Sequence, residues 1–107
     1  MAGIGSMGDL LKQAQEMQAR MAKIQEELAS KTVQGSAGGG MVQVTVNGQL
    51  NITRVQIESS VINPAEKDML EDLILAATND GMRKARELAS AEMSKLTGGM
   101  KIPGLMP

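Results

Sequence analysis

The chain has 107 residues, a formal net charge of −1, no Cys, His, Phe, Tyr or Trp, and 10 Met. This length holds one domain, so we treat residues 1–107 as a single unit, and the lack of Cys excludes a disulfide scaffold. A core that contains only aliphatic side chains and Met provides little apolar burial within one subunit of this size. This favours oligomerisation.

The N-terminal residues predict that the protein is neither secreted nor membrane-bound. MAGIGSMGD lacks the basic and apolar regions of a signal peptide. No run approaches the ~18 apolar residues of a membrane span. We therefore expect a soluble, intracellular protein with no membrane partner.

The first predicted helix covers residues 6–31, with Ser6 as its N-cap. Its apolar residues recur at alternating spacings of four and three, which is typical of a narrow coiled-coil seam. The seam comprises Leu10, Ala14, Met17, Met21, Ile24 and Leu28. Ion pairs at i,i+4 are predicted on the polar side for Glu16 with Arg20, Lys23 with Glu27, and Glu27 with Lys31. The seam requires a partner, which is either the chain's own core or a second subunit.

Residues 32–58 predict three antiparallel strands joined by tight turns. A β-tolerant segment (32–37) precedes a triple-glycine turn (38–40), an alternating strand (41–46), the hairpin dipeptide Asn47-Gly48 and a last strand (50–58).

The apolar phase of the last two strands predicts an irregular hairpin. Placing Val46 opposite Leu50 and Val44 opposite Ile52 requires one more loop residue than Asn47-Gly48 supplies, or a bulge. The apolar phase slips again after Ile52, which predicts a second bulge near Thr53-Arg54.

The second predicted helix covers residues 63–97, with Asn63 as N-cap and Pro64 at the first helical position. Ala77, Gly81 and Ala85 lie four apart within it. They indicate either that another backbone approaches closely or only that a helix glycine is tolerated. Residues 98–107 are predicted to be a flexible tail. The resulting fold class is α+β, a three-stranded antiparallel meander flanked in sequence by two long helices.

Catalytic chemistry finds little support in the residues. With no His or Cys, a general base would have to be a carboxylate or a lysine, and the carboxylates fall on predicted solvated helix faces and caps. The G-x-G-x-x-G pattern at residues 3–8 lacks the preceding strand of a nucleotide-binding unit. We predict no enzyme activity, no metal, no cofactor and no small-molecule substrate.

Phosphate contact is the mode of nucleic-acid binding that the composition allows. No aromatic side chain is present to stack on bases, and no helix-turn-helix or zinc-finger spacing occurs. The basic residues of the two helices, doubled by a two-fold axis, could straddle a duplex. Two alternatives remain: the charges are ordinary solvated helix side chains, or the protein is an interaction scaffold that binds no nucleic acid.

Five segments resemble the YbaB/EbfC family of bacterial nucleoid-associated proteins, in order and over nearly the whole chain. They are LLKQAQEMQARMAKIQEELA (10–29), MVQVTVNG (41–48), RVQIESSVI (54–62), MLEDLILAATNDG (69–81) and GGMKIPG (98–104). The resemblance implies a homodimer of α-β-β-β-α subunits whose helices project like the arms of tweezers. It implies binding to double-stranded DNA in the cytoplasmic nucleoid, altered DNA shape, and an influence on nucleoid organisation and gene expression. The matching positions assigned to DNA contact are Lys12, Arg20, Lys23, Arg83, Lys84 and Arg86.

Overall fold

The computed structural model describes the backbone of residues 2–96 and the side chains of residues 7–96. Its elements are α1 (Ala2–Ser30), β1 (Thr32–Ala37), β2 (Val42–Asn47), β3 (Ile52–Ile57) and α2 (Lys67–Leu96). Two short 3₁₀ turns, Ser59–Val61 and Pro64–Glu66, connect β3 to α2. This order confirms the predicted α+β class and the α-β-β-β-α subunit. The predicted tail at residues 98–107 lies outside the described residues.

Helix α1 begins at Ala2, so the prediction that Ser6 is its N-cap is wrong. Ser6 is a good local cap, but nothing between Ala2 and Ser6 stops a helix. Proline is absent there, and a helix glycine costs only about 1 kcal/mol relative to alanine. The longer helix reaches roughly 43 Å at 1.5 Å per residue.

Most of the α1 seam is not covered by the residues that the structure describes. Leu10 is 63% exposed and Met17 and Met21 are also exposed, whereas Leu28 at the C-terminal end is 2% exposed. The radius of gyration is 20.4 Å, against about 13 Å for a compact domain of this size. Helix α1 therefore rests on the fold only near its last turns and projects as an arm.

The sheet has the order β1-β2-β3, with both neighbouring pairs antiparallel. Val42, Val44 and Val46 of the central strand are fully buried, because α2 lies across β1 and β2. The helix does not cover β3. Val55 pairs with buried Val44 yet remains 49% exposed.

The β2–β3 register differs from the prediction, although the bulge is confirmed. Val46 pairs with Ile52 and Val44 with Val55, so the predicted partners Leu50 and Ile52 are wrong. The register shifts between Thr45 and Val46, which leaves Thr53 as the extra residue, inside the predicted bulge.

The loop closed by the pair Asn47 and Asn51 contains three residues, 48–50, so the predicted extra loop residue is confirmed, but the loop starts one residue later than expected and this shifts the register. The Asn47 N–H donates to the Asn51 carbonyl (2.9 Å), and the Leu50 N–H donates to the Asn47 carbonyl (3.0 Å). Leu50 closes the loop with a left-handed φ of 65°. The Asn47 side-chain oxygen accepts from the backbone of Gln49 and Asn51 (both 3.0 Å), and this fixes the turn.

Helix α2 touches β1 backbone to backbone. A Cβ on Gly35 would lie 2.1 Å from the Gly81 nitrogen and 2.2 Å from the Ala77 oxygen. Ala77 and Ala85 are fully buried. The small-residue spacing therefore does mark a close approach of another backbone. Asn63 caps the preceding 3₁₀ turn, where its Oδ1 accepts from the Ala65 N–H (3.0 Å), and α2 itself begins at Lys67.

Candidate nucleic-acid interface

The projecting helix α1 carries three exposed cations: Lys12, Arg20 and Lys23. Among the residues with described side chains, none lies within 4.0 Å of these three to form an ion pair. The predicted pairs Glu16–Arg20 and Lys23–Glu27 are therefore wrong. Exposed i,i+4 pairs stabilise a helix by only a few tenths of a kcal/mol, so solvation competes with them readily. These cations remain open to an external anion.

A groove of about 310 Å³ lies between the C-terminal parts of α1 and α2. It is lined by Arg20, Lys23, Ile24, Glu27, Glu92, Lys95 and Leu96. Two of the predicted contact residues, Arg20 and Lys23, are thus brought together with Lys95, which the sequence prediction did not include. Lys12 lies two turns farther along α1, roughly 12 Å from Arg20 along the axis.

Glu92 anchors the base of the arm beside this groove. Its carboxylate accepts from Lys31 Nζ at 2.6 Å and from Lys95 Nζ at 3.2 Å. The hydrogen bond from Lys31, followed by that from Lys95, holds the pKa of Glu92 below its ordinary value. The predicted Glu27–Lys31 pair is wrong, because a buried carboxylate requires a partner more than an accessible one does.

The basic run on α2 is already partly engaged within the chain. Arg83 lies between Asp80 (3.0 Å) and Glu87 (2.8 Å), while Lys84 contacts Asp80 at 3.2 Å. Arg86 is exposed and has no ion pair in the part of the chain that the structure describes. Of the three residues predicted to contact DNA from α2, Arg86 is therefore the most available to an external phosphate.

Asp80 and Lys84 also close the outer edge of β1. The Ser36 N–H donates to Asp80 Oδ2 (3.1 Å), and Lys84 Nζ donates to the Gln34 carbonyl (3.0 Å). The Ser36 hydrogen bond is the main reason that the pKa of Asp80 lies below its ordinary value, and Arg83 and Lys84 add to the effect. Side chains that bond an exposed strand edge protect it from pairing with other chains. Lys84 therefore has a structural role.

The described residues offer charge recognition and little else. No cluster of metal-binding side chains occurs among them. No stretch of helix between residues 2 and 96 combines the length and hydropathy that a bilayer crossing requires. The described residues thus form a small α+β scaffold whose projecting helix carries cations that make no ion pair with a described side chain, an arrangement typical of proteins that bind polyanions.

Comparison with known proteins places this scaffold in a family. Residues 3–100 match the YbaB/EbfC DNA-binding family, and the chain belongs to it. The chain is 57% identical over 96 residues to a nucleoid-associated protein of Desulfotalea psychrophila, which covers 90% of this chain and 91% of the relative. It is 50% identical over 104 residues to a nucleoid-associated protein of Bacillus thuringiensis, which covers 97% and 95%.

The fold has a solved counterpart. An uncharacterized protein from Helicobacter pylori superposes with a TM-score of 0.72 at 25% identity, covering 86% of this chain and 94% of that one. The family resemblance drawn from the sequence is confirmed. The family is one of bacterial DNA-binding, nucleoid-associated proteins and is not an enzyme family.

Proposed function

We propose that this protein binds double-stranded DNA as a homodimer in the bacterial nucleoid, and so in the cytoplasm. The cations of its two helices contact backbone phosphates and alter the shape of the duplex. Nucleoid organisation and an influence on gene expression follow from that activity. One observation supports the proposal most strongly: a member of a DNA-binding family presents Lys12, Arg20 and Lys23 on a projecting helix, where they form no ion pair with a described side chain.

Phosphate contact agrees with what the chain lacks. Without aromatic side chains the protein cannot stack on bases. The sequence also contains no motif that is known to read base edges in a groove. A net charge of −1 confines attraction to the local basic surfaces, so binding is salt-sensitive. We add Lys95 as a secondary contact, because the groove places it beside Arg20 and Lys23 although Glu92 accepts from its Nζ at 3.2 Å. With ~6 phosphate contacts per dimer, affinity falls with salt at a log–log slope near ~5.

Dimerisation is supported by apolar surface that one chain leaves uncovered. Leu10, Met17 and Met21 on α1 are exposed along one seam, and Ile52 and Val55 are exposed on the core face of β3. The buried core of a single chain contains no aromatic side chain, and its largest fully buried side chains are valines. A second copy that covers these surfaces supplies the missing burial.

A protein-interaction scaffold is the second candidate. The internal ion pairs of Arg83 and Lys84 favour it, because they reduce the charge that α2 offers to DNA. A scaffold would not change the gel mobility of duplex DNA at any salt concentration, whereas the proposed function requires a mobility shift at low salt.

Light scattering on the full chain, alone and with a random-sequence duplex, tests the proposal. We expect twice the 11.3 kDa chain mass in the free state and a dimer–duplex complex at low salt that dissociates at high salt. A stable species of one chain mass would contradict the dimer. A dimer that forms no complex at low salt would favour the scaffold.

A further inference from the structure

The C-terminal end of α1 is bonded by the turn segment, residues 47–49, which ends β2 and begins the loop to β3. A helix leaves its last carbonyls without partners of its own. The Gly48 N–H donates to the carbonyls of Leu28 (2.8 Å) and Lys31 (3.0 Å). Asn47 Nδ2 donates to the Ala29 carbonyl (3.3 Å). The turn segment thus supplies donors that the end of α1 lacks.

The turn segment also packs directly on the helix. A Cβ on Gly48 would lie 2.5 Å from Leu28 Cδ2 and 2.9 Å from the Leu28 carbonyl oxygen. Gly48 and Leu28 are both buried. Farther along the helix, Gln49 Nε2 donates to the Gln25 carbonyl (3.0 Å). These contacts cover about two turns at the end of α1.

Asn47 connects the turn to the helix through the two ends of one side-chain amide. Its Oδ1 accepts from the backbone of Gln49 and Asn51 (both 3.0 Å). Its Nδ2 donates to Ala29 on α1. The residue is 7% exposed, and a buried amide with its donor and its acceptor both engaged is held in one orientation. Asn47 therefore couples the direction of the helix to the sheet.

The arm has a second anchor at its base and no internal hinge. Lys31, directly after the helix, donates to Glu92 of α2 at 2.6 Å. No Gly or Pro occurs between residues 9 and 30, and sharp helix kinks arise mostly at such residues. The arm therefore moves as one rod, and its direction is decided at its base.

The length of the arm amplifies any change of direction. Lys12 lies roughly 26 Å from Ala29 along the axis at 1.5 Å per residue, so a tilt of about 10° at the base would move it by about 5 Å. This exceeds the ~3.4 Å axial rise between successive phosphates of one DNA strand. The contacts at residues 47–49 therefore decide which phosphate Lys12 reaches.

We propose that Asn47 is a positioning residue for DNA: through it the turn segment fixes the direction of the arm, and the duplex bends to meet the arm. This inference rests on the proposed function and names what imposes the new shape. A rod held at its base presents its cations at set positions, and a duplex whose phosphates lie elsewhere must deform to reach them. A loosely attached arm would instead follow the straight duplex.

A distance measurement within one chain tests the positioning role without DNA. Spin labels are attached at Gln13→Cys on the arm and at Ser90→Cys on α2, both exposed positions in a chain that has no native Cys. Mixing with excess unlabelled protein removes distances between copies. Pulsed electron paramagnetic resonance then gives the distance distribution from the arm to the body of one subunit.

A substitution that changes one end of the amide separates the arm from the turn. Asn47→Asp keeps the acceptor for the turn and sets a carboxylate oxygen against the Ala29 carbonyl. We expect it to widen the distance distribution about twofold or more. Gln49→Ala removes only the exposed bond to Gln25, so it leaves the buried contacts intact and should widen the distribution less.

The matched control is Asn51→Asp, the same substitution four positions later. Asn51 is exposed, and its side chain makes no hydrogen bond to a described residue. We expect this variant to keep the distance distribution of the labelled parent chain.

A duplex with a fluorophore at each end provides the second readout. At saturating protein, the wild type and Asn51→Asp should shorten its end-to-end distance equally. Asn47→Asp should leave the duplex nearer its free length while its Kd stays within about threefold of the wild-type value, because the α1 cations remain. A variant that merely loses folding stability would weaken binding and bending together.

The outcomes separate this inference from DNA binding itself. Equal distance widths in Asn47→Asp, Gln49→Ala and the control would overturn the positioning role of Asn47. Wider distributions with unchanged shortening of the duplex would show that the arm direction does not impose the bend. If the wild type binds no duplex, the proposed function fails, and the distance widths still decide whether the turn segment holds the arm.

Discussion

Lys31 Nζ lies 2.6 Å from Glu92 Oε1, although the two residues are 61 positions apart in the chain. Lys31 directly follows α1, and Glu92 lies in the penultimate turn of α2. The contact therefore fixes the base of the projecting arm to the body of the subunit. We expect the orientation of the α1 cations to depend on it.

Replacing Glu92 tests that anchor. Glu92→Gln removes the charge that Lys31 and Lys95 share, so we expect the thermal midpoint to fall by several degrees and amide exchange at the end of α1 to accelerate. Glu71→Gln is the matched control, because Glu71 is exposed and its contact with Lys67 is 3.9 Å long. A midpoint for Glu92→Gln equal to that of the control would rule out the anchor.

The same contacts predict how stability depends on pH. The pKa values of Glu92 and Asp80 lie below their ordinary values of 4.5 and 3.8 in the folded chain. Their contribution to stability is therefore complete above those ordinary values and is lost as pH falls through the lowered ones. The pKa of Lys31 is raised from 10.5, so its contribution is present below 10.5 and is lost as pH rises through the raised value.

Urea unfolding at pH 7 and pH 3 measures how much folding stability is lost as the pH falls. The wild type should lose more stability between these two values than Glu92→Gln, which has no carboxylate to protonate at that position. Parallel losses in the two proteins would show that Glu92 is not linked to folding.

The contact between Gly35 and Gly81 predicts an asymmetry between glycine positions. Gly35→Ala forces a Cβ against the α2 backbone, where no flexible side chain can move aside, and should destabilise the fold by about 3 kcal/mol or more. Gly8→Ala on the exposed part of α1 meets nothing within 4 Å and should stabilise its helix by up to about 1 kcal/mol. The check is the denaturant midpoint of each variant relative to the wild type. A decrease for Gly35→Ala with an increase for Gly8→Ala would support the close approach, and equal midpoints would refute it.

The basic run of α2 should contribute unequally to DNA binding. Arg86 has no ion pair among the described residues, whereas Arg83 is held by two carboxylates. We expect Arg86→Gln to weaken binding to all duplexes alike and to lower the salt slope by about 1 for each phosphate that it no longer neutralises. Arg83→Gln should change both the affinity and the slope less. A titration that ranks the two variants in the reverse order would show that the internal pairs open on DNA.

The sequence predicted what depends on local pattern. Alternation and turn residues identified the three strands, and the slip after Ile52 identified the bulge at Thr53. Spacing indicated a close approach at Gly81 as one of two explanations, and the structure selects it. The α1 seam was also predicted, because its period is regular, whereas the sequence left open whether the seam packs on the chain's own core.

Features that depend on distant contacts escaped prediction. Ser6 is a residue type that commonly caps a helix N-terminus, but α1 begins upstream of it at Ala2. Leu50 has a left-handed φ, which its residue type does not indicate, so the loop was placed one residue too early and the β3 register was wrong. Lys31 was assigned to a neighbour on its own helix, because nothing local indicates a buried Glu92 on the other one.

The central claim is that Lys12, Arg20 and Lys23, which form no ion pair with a described side chain, contact the DNA backbone from the projecting helix. The most direct test is a salt series of fluorescence-anisotropy titrations with a random duplex, comparing the wild type with Lys12→Gln/Arg20→Gln/Lys23→Gln and with the control Lys67→Gln. We expect a log–log slope near ~5 for the wild type and the control, and a loss of most of that slope in the triple variant. Equal affinity and equal slope in all three proteins would contradict the claim.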